Sequence, residues 1–138
     1  MTETSDAELD VFVRSALGKK ARNPVLLDVG HLTSLADAFL ICHGTSNRQV
    51  SAIAEHIQRD LKAQGIKALS IDGLKDGHWV LMDYGHVVIH VFYESIRSFY
   101  NLEGLWSDAR RIQTVSLKQA AQAPVDPIDD VDEAVYIE

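Results

Sequence analysis

The sequence predicts an α/β protein (α+β) in which helices flank a mixed, mostly five-stranded sheet. Three observations support this fold class: the apolar run Phe39–Cys42, an amphipathic helix pattern at about 47–64, and strand patterns at 78–83 and 86–93 that are close enough to form a hairpin. The predicted order is helix, two strands, helix, three strands and helix. With 138 residues, 46% of them hydrophobic, the chain can bury a core without disulfides or metal.

The first half of the chain is predicted to form two helices and two strands. Ser5-Asp6-Ala7-Glu8 has the spacing of a capping box, which predicts a helix that runs to about Gly18. Thr45 or Ser46 can cap the second helix, and Gly65 lies where its C-terminal cap belongs. The strands between the two helices are predicted at residues 25–29 and 39–43, with a turn-like segment at 31–37.

The second half is predicted to form three strands and a helical end. The last two strands form an antiparallel hairpin that turns at Tyr84-Gly85. Val87, Ile89 and Val91 share one face of the second hairpin strand, and we expect that face to lie against the core. The other predicted elements are a strand at 67–71, a helical segment through 96–100 and a helix around 102–112.

The first strand of this hairpin is rich in residues that protein interfaces favour. Trp, Tyr and Met are over-represented at interfaces, and a neighbouring acid gives a basic partner a counter-charge. Either face of the strand could be buried, since alternation separates Trp79, Leu81 and Asp83 from Val80, Met82 and Tyr84. The candidate contact residues are Trp79, Met82, Asp83 and Tyr84.

Most of the negative charge lies near the ends of the chain. The formal net charge is −7, but residues 11–121 contain ten acids and thirteen bases, a charge of +3. That excess is too small to indicate a grip on nucleic acid. The sequence predicts a domain at 6–112, a flexible N-terminus at 1–5 and an acidic, flexible tail at 113–138.

Composition also indicates the compartment. The single cysteine, Cys42, lies within a predicted buried strand, so a reducing compartment and a structural thiol are expected. No apolar stretch approaches the ~20 residues that a membrane span needs, and we expect a cytoplasmic protein with no membrane partner. The densest basic cluster includes Lys19, Lys20 and Arg22; a solvated surface is the default interpretation, and contact with RNA at the rim of an interface is the alternative.

The turn Gly44-Thr45-Ser46 raises the question of nucleotide chemistry, because a Gly-Ser turn after a strand begins the nucleotidyltransferase signature. That chemistry also needs paired carboxylates to hold magnesium, usually at i and i+2 of one strand. No strand offers such a pair: Asp28 and Asp83 stand alone, and His86 and His90 are ~13 Å apart along their strand, too far to share one ion comfortably. We expect no catalytic residues, no metal and no cofactor.

Five stretches resemble one known family. They are Leu32–Asp37, Gly44–Val50, Trp79–Gly85, His90–Phe92 and Arg97–Trp106. Their order and length make the sequence similar to the ribosomal silencing factor family, also known as the Iojap-like family, over roughly Leu9 to Ala109. The resemblance implies a nucleotidyltransferase-like fold without catalytic carboxylates.

The resemblance also implies a function. Members of this family bind the large ribosomal subunit, chiefly through its ribosomal protein fourteen, and block joining of the small subunit when nutrients are scarce. By this resemblance the chain is expected to repress translation as a steric obstacle, with Trp79, Met82, Asp83 and Tyr84 as its contact residues, and to form a homodimer off the ribosome. The alternatives are a nucleotide-binding or nucleotidyltransferase-like enzyme and an assembly factor that binds ribosomal RNA directly.

Overall fold

A six-stranded sheet organises the chain. The computed structural model describes residues 5–122. The strands lie in the order β3-β4-β5-β2-β1-β6. The elements are α1 (Asp6–Leu17), β1 (Arg22–Asp28), β2 (Ala38–Gly44), α2 (Asn47–Ala63), β3 (Ser70–Asp72), β4 (Trp79–Asp83), β5 (Val87–Tyr93), α3 (Glu94–Tyr100), α4 (Leu102–Leu105), β6 (Arg110–Arg111) and α5 (Val115–Gln122).

The sheet is mixed, as predicted. β2 and β5 are parallel neighbours at its centre, and the other paired strands run antiparallel. Every residue of β2 is buried, which explains its continuous apolar run. The β4–β5 hairpin is confirmed: the Tyr84 amide donates to the Val87 carbonyl at 2.9 Å, and Gly85 has the positive φ that this turn requires.

The two faces of the sheet are covered unequally. On what we call the helical face, α1, α2 and α5 cover the larger core, to which β5 contributes the predicted residues Val87, Ile89 and Val91. On the opposite face, which we call the open face, a smaller core around Phe39 and Phe92 is covered within residues 5–122 by the short helices α3 and α4, the turn that follows α4 and the segment between β1 and β2. The open face is therefore where partly buried apolar side chains remain available.

The predicted helix caps are confirmed. The Ser5 hydroxyl accepts a hydrogen bond from the Glu8 amide, and the Ser46 hydroxyl accepts one from the Gln49 amide at 3.0 Å. At the other end of α2, Gly65 has a φ of +85°, and the Ile66 amide donates to the carbonyl of Leu61. This pattern is a Schellman motif, in which glycine is favoured because it adopts a left-handed conformation without strain.

Two predicted elements are wrong. The strand expected at 67–71 is shorter and later, at Ser70–Asp72. The helix expected around 102–112 ends at Leu105, and Arg110 and Arg111 instead pair with β1 as a sixth strand. The sheet gains this strand because β1 has a free edge there. Two consecutive arginines in the sequence do not indicate that they will pair with such an edge.

The folded domain also extends beyond the predicted boundary at residue 112. α5 packs on α1, where the Asp10 carboxylate accepts hydrogen bonds from the amide and the hydroxyl of Ser116, at 3.0 Å and 2.7 Å. Leu117 is buried in the same contact. The predicted tail therefore begins too early, since 115–122 is helical, and the rest of it lies outside the described residues, as do residues 1–4.

Candidate functional site

The open face presents one row of β4 side chains. Trp79, Leu81 and Asp83 alternate on this face and are each partly buried, and we call them the β4 row. Met82 points to the helical face and is fully buried, and Tyr84 lies in the same core at 7% exposure. Met82 has no exposed surface and Tyr84 has little, so their burial argues against their assignment as contact residues.

Trp79 is held in place by aromatic neighbours. Its ring stacks on Phe92, with 4.9 Å between the ring centroids, and lies at the same distance from the ring of Tyr100 in α3. The indole Nε1–H donates to Nδ1 of His90 at 3.1 Å. A large aromatic side chain in one fixed orientation is the kind of anchor on which interface affinity depends.

His90 is buried on the same face as the β4 row, opposite Leu81 on the neighbouring strand. Its ring contacts Phe39 edge to face at 5.1 Å. Burial lowers the pKa of His90 to about 4, and the ring is neutral at pH 7. Because Nδ1 accepts the Trp79 proton, the proton of the neutral ring is on Nε2, which has no hydrogen-bond partner among the described residues.

We expect the stability of the protein to fall in mild acid because of His90. Between the unfolded pKa of 6.5 and the folded pKa of about 4, the unfolded chain binds a proton that the folded chain excludes. The free energy of unfolding should therefore drop by about 2 kcal/mol between about pH 6.5 and about pH 5. Urea unfolding across this range measures the drop. His90→Asn keeps an acceptor for Trp79 but does not titrate, and an equally steep drop in that variant would contradict the assignment.

A cluster of charged side chains around the buried residues Arg97 and His43 lies at one end of the open face. Arg97 of α3 donates from Nε and Nη2 to the two carboxylate oxygens of Glu103, at 3.1 Å and 3.2 Å. Its Nη1 is 2.8 Å from Nδ1 of His43, and Nε2 of the same histidine is 3.6 Å from a carboxylate oxygen of Glu94. We call Arg97, His43, Glu103 and Glu94 the Arg97 network.

The Arg97 network favours a neutral histidine. The pKa of His43 is lowered mainly by burial and further by the charges of Arg97 and Arg22, while Glu94 and Glu103 act in the opposite direction. Since Arg97 can only donate, Nδ1 of the neutral ring accepts and Nε2 carries the proton toward Glu94. Arg22 therefore lies close to this network. In the sequence it was recognisable only as one member of a basic stretch.

The turn at Gly44–Ser46 serves to cap α2. Besides the Ser46 cap, the Thr45 amide donates to Oε1 of Gln49 at 2.6 Å. Within residues 5–122, no three His, Cys, Asp or Glu side chains are grouped so that they could hold a metal ion. Cys42 is buried as predicted, and burial raises the pKa of its thiol to about 12, which keeps it unreactive.

The residues predicted to touch ribosomal RNA do not share one environment. Lys19 and Lys20 are exposed in the turn after α1, whereas Arg22 is partly buried at the start of β1. Contact of these residues with RNA stays a prediction. No helix in the described part of the chain is long and apolar enough to cross a bilayer.

Sequence reasoning missed several members of this site. α3 exposes Tyr100 against Trp79 of the β4 row and Phe99 beside Tyr100, and α4 exposes Leu105; Phe99 is 79% and Leu105 74% exposed. The predicted core face of β5 could have identified the core face of β4. Antiparallel pairing places Val80 opposite Val91 and Met82 opposite Ile89, so Val80 and Met82 face the same core as their partners. No sequence pattern pointed to the Arg97 network.

Comparison with known proteins identifies close relatives. The family model described as "Ribosomal silencing factor during starvation" matches residues 2–134. A ribosomal silencing factor of Halalkalibacterium halodurans is 42% identical over 105 residues, which are 76% of this chain and 90% of that protein. The mouse protein named "Mitochondrial assembly of ribosomal large subunit protein 1" is 28% identical over 72% of this chain and 45% of its own.

A solved structure shares the fold. A crystal structure of a Bacillus halodurans protein superposes with a TM-score of 0.70 at 38% sequence identity, covering 79% of this chain and 99% of the other. A related chain therefore adopts the fold to which the open face and its β4 row belong.

Proposed function

The chain belongs to the ribosomal silencing factor family, and we propose on that basis that it binds the large ribosomal subunit and keeps the small subunit from joining. The contact is chiefly with ribosomal protein fourteen of the large subunit. The family description, which refers to starvation, supports repression of translation under nutrient limitation. The mouse relative named for assembly of the large subunit supports the choice of subunit.

The observation that supports this proposal most directly is the β4 row. Trp79 supplies a fixed apolar anchor at its end near α3, and Asp83 supplies a negative charge at the other end. Beside the row, α3 adds the exposed rings of Tyr100 and Phe99. An aromatic and aliphatic centre with acids at its border matches a basic protein surface that has an apolar patch.

The mechanism that follows is steric. A partner that covers the β4 row leaves α1, α2 and α5 projecting from the opposite face of the sheet, where they obstruct an approaching subunit. No bond is made or broken, so we propose that the protein is not an enzyme. In this mechanism, repression depends on occupancy alone and is reversed when the protein dissociates.

Co-sedimentation with separated ribosomal subunits, followed by a subunit-joining assay, tests the proposal. We expect the protein to sediment with the large subunit and to reduce formation of joined ribosomes in proportion to the bound fraction. Retention on the small subunit alone, or normal joining with the large subunit saturated, would contradict it.

Asp83→Asn isolates the charge within the β4 row. Oδ1 of Asp83 accepts a hydrogen bond from the Gly85 amide at 2.8 Å, and the asparagine amide oxygen can keep this bond. We expect affinity for the large subunit to fall by about 1 kcal/mol, and to depend less on salt, because a partner cation loses its counter-charge. Glu55→Gln, at an exposed position of α2 on the helical face, is the matched control. An unchanged salt dependence in Asp83→Asn would remove this residue from the interface.

The remaining parts of the proposal concern the protein's setting. We propose that it acts in the cytoplasm and forms a homodimer off the ribosome, in which apolar residues of the open face are covered by a second copy. Lys19, Lys20 and Arg22 then supply peripheral contacts to ribosomal RNA. Analytical ultracentrifugation of the free protein tests the dimer.

A further inference from the structure

α3 is attached to the sheet mainly by charged groups. Arg97 is its only buried residue, Ile96 is partly buried, and Phe99 is largely exposed. The helix thus buries little apolar surface, although it positions Tyr100 against Trp79. The link from Arg97 to Glu103 and to His43 accounts for most of the specific contacts that hold this helix against β2 and α4.

We propose that Arg97 and His43 are positioning residues for docking: while the His43 ring is neutral they hold α3, and with it Tyr100, against Trp79, and protonation of His43 loosens this arrangement. The binding consequence rests on the proposed function, whereas the structural consequence within the free protein does not. Neither residue belongs to the β4 row, so each acts through α3 rather than by touching the partner.

The geometry explains why one proton matters. In the neutral ring, Nδ1 accepts from Arg97 across 2.8 Å. A proton added at Nδ1 would place two donors and two positive charges against each other in a buried site. The groups that face this ring are Arg97 and Glu94 from α3, Glu103 from α4 and Arg22 from β1, and the two carboxylates offset the conflict only in part. Because the pKa of His43 is lowered, the change occurs below the usual range near 6.5.

Affinity for isolated large subunits, measured from about pH 7.5 to about pH 5.5 at constant salt, tests the proposal. We expect wild-type affinity to fall by less than about tenfold at about pH 5.5, because binding of one proton changes affinity by at most about tenfold per pH unit and the pKa of His43 is lowered from 6.5. His43→Asn places an amide oxygen near the Nδ1 position and cannot titrate, so its affinity should change much less. Glu94→Gln, at a largely exposed side chain, should move the fall to lower pH because it removes a carboxylate that favours the protonated ring.

A second readout does not depend on the ribosome. The indole N–H signal of Trp79, followed by NMR in the free protein, should shift over the same pH interval in the wild type and stay in place in His43→Asn. Equal pH dependence of affinity in wild type and His43→Asn, or an indole signal indifferent to His43, would overturn the positioning role. Absence of any binding in the wild type would instead contradict the proposed function, and the NMR comparison would still decide the role of His43.

Discussion

Arg97→Ala should lower the free energy of unfolding by about 3 kcal/mol, the lower end of the range for removing one member of a buried ion pair, because the Glu103 side chain keeps 24% of its surface exposed. The guanidinium is buried, and its loss leaves Glu103 without its two hydrogen bonds and His43 without a donor. Urea unfolding at about pH 7.5 measures this change. We expect it to be among the most destabilising substitutions on the open face.

The control for Arg97→Ala is an arginine whose ion pair lies at the surface. Arg110 pairs with Asp28 at 3.2 Å, but its side chain is 67% exposed. Pairs of this kind contribute about 0 to 1 kcal/mol, so Arg110→Ala should be nearly neutral. If the two variants lose similar stability, the Arg97 network does not hold α3 in the way described.

Trp79→Ala should weaken binding to the large subunit by about 2 to 4 kcal/mol, or roughly thirtyfold to thousandfold. The indole is the largest side chain in the β4 row, and its removal also takes away the surface against which Tyr100 packs. Equilibrium sedimentation with large subunits measures the loss. Removal of the ring also exposes Phe92 and leaves Nδ1 of His90 without its donor, so some stability is lost as well.

Two controls separate affinity from stability in this experiment. Trp79→Phe keeps an aromatic ring over Phe92 and should retain more of the affinity than alanine does. Val115→Ala truncates an exposed apolar residue on α5, away from the open face, and should bind as the wild type does. Wild-type affinity in a folded Trp79→Ala variant would exclude the β4 row as the docking surface.

The Arg97 network and the β4 row depend on each other through α3. Tyr100 touches Trp79, and Arg97 lies three residues earlier on the same short helix. A change at the network can therefore alter docking without any change in the contact residues themselves.

Local patterns in the sequence were sufficient to predict much of the fold. The stripe of α2, its caps at Ser46 and Gly65, and the hairpin turn at Gly85 were all predicted, because helical period, capping chemistry and positive φ are properties of neighbouring residues. The family resemblance depends likewise on short stretches of sequence. Trp79 and Asp83 were both named as site residues on the same basis.

The amino-acid sequence alone thus determined the fold class, the central elements and the strand that contains the candidate site. Only the tertiary structure decided which face of that strand is open, because both faces are apolar enough to be buried and Met82 fits a core as well as Trp79 does. It also decided β6, α5 and the Arg97 network. These features join residues far apart in the chain, such as Asp10 and Ser116, and local periodicity contains no information about such pairs.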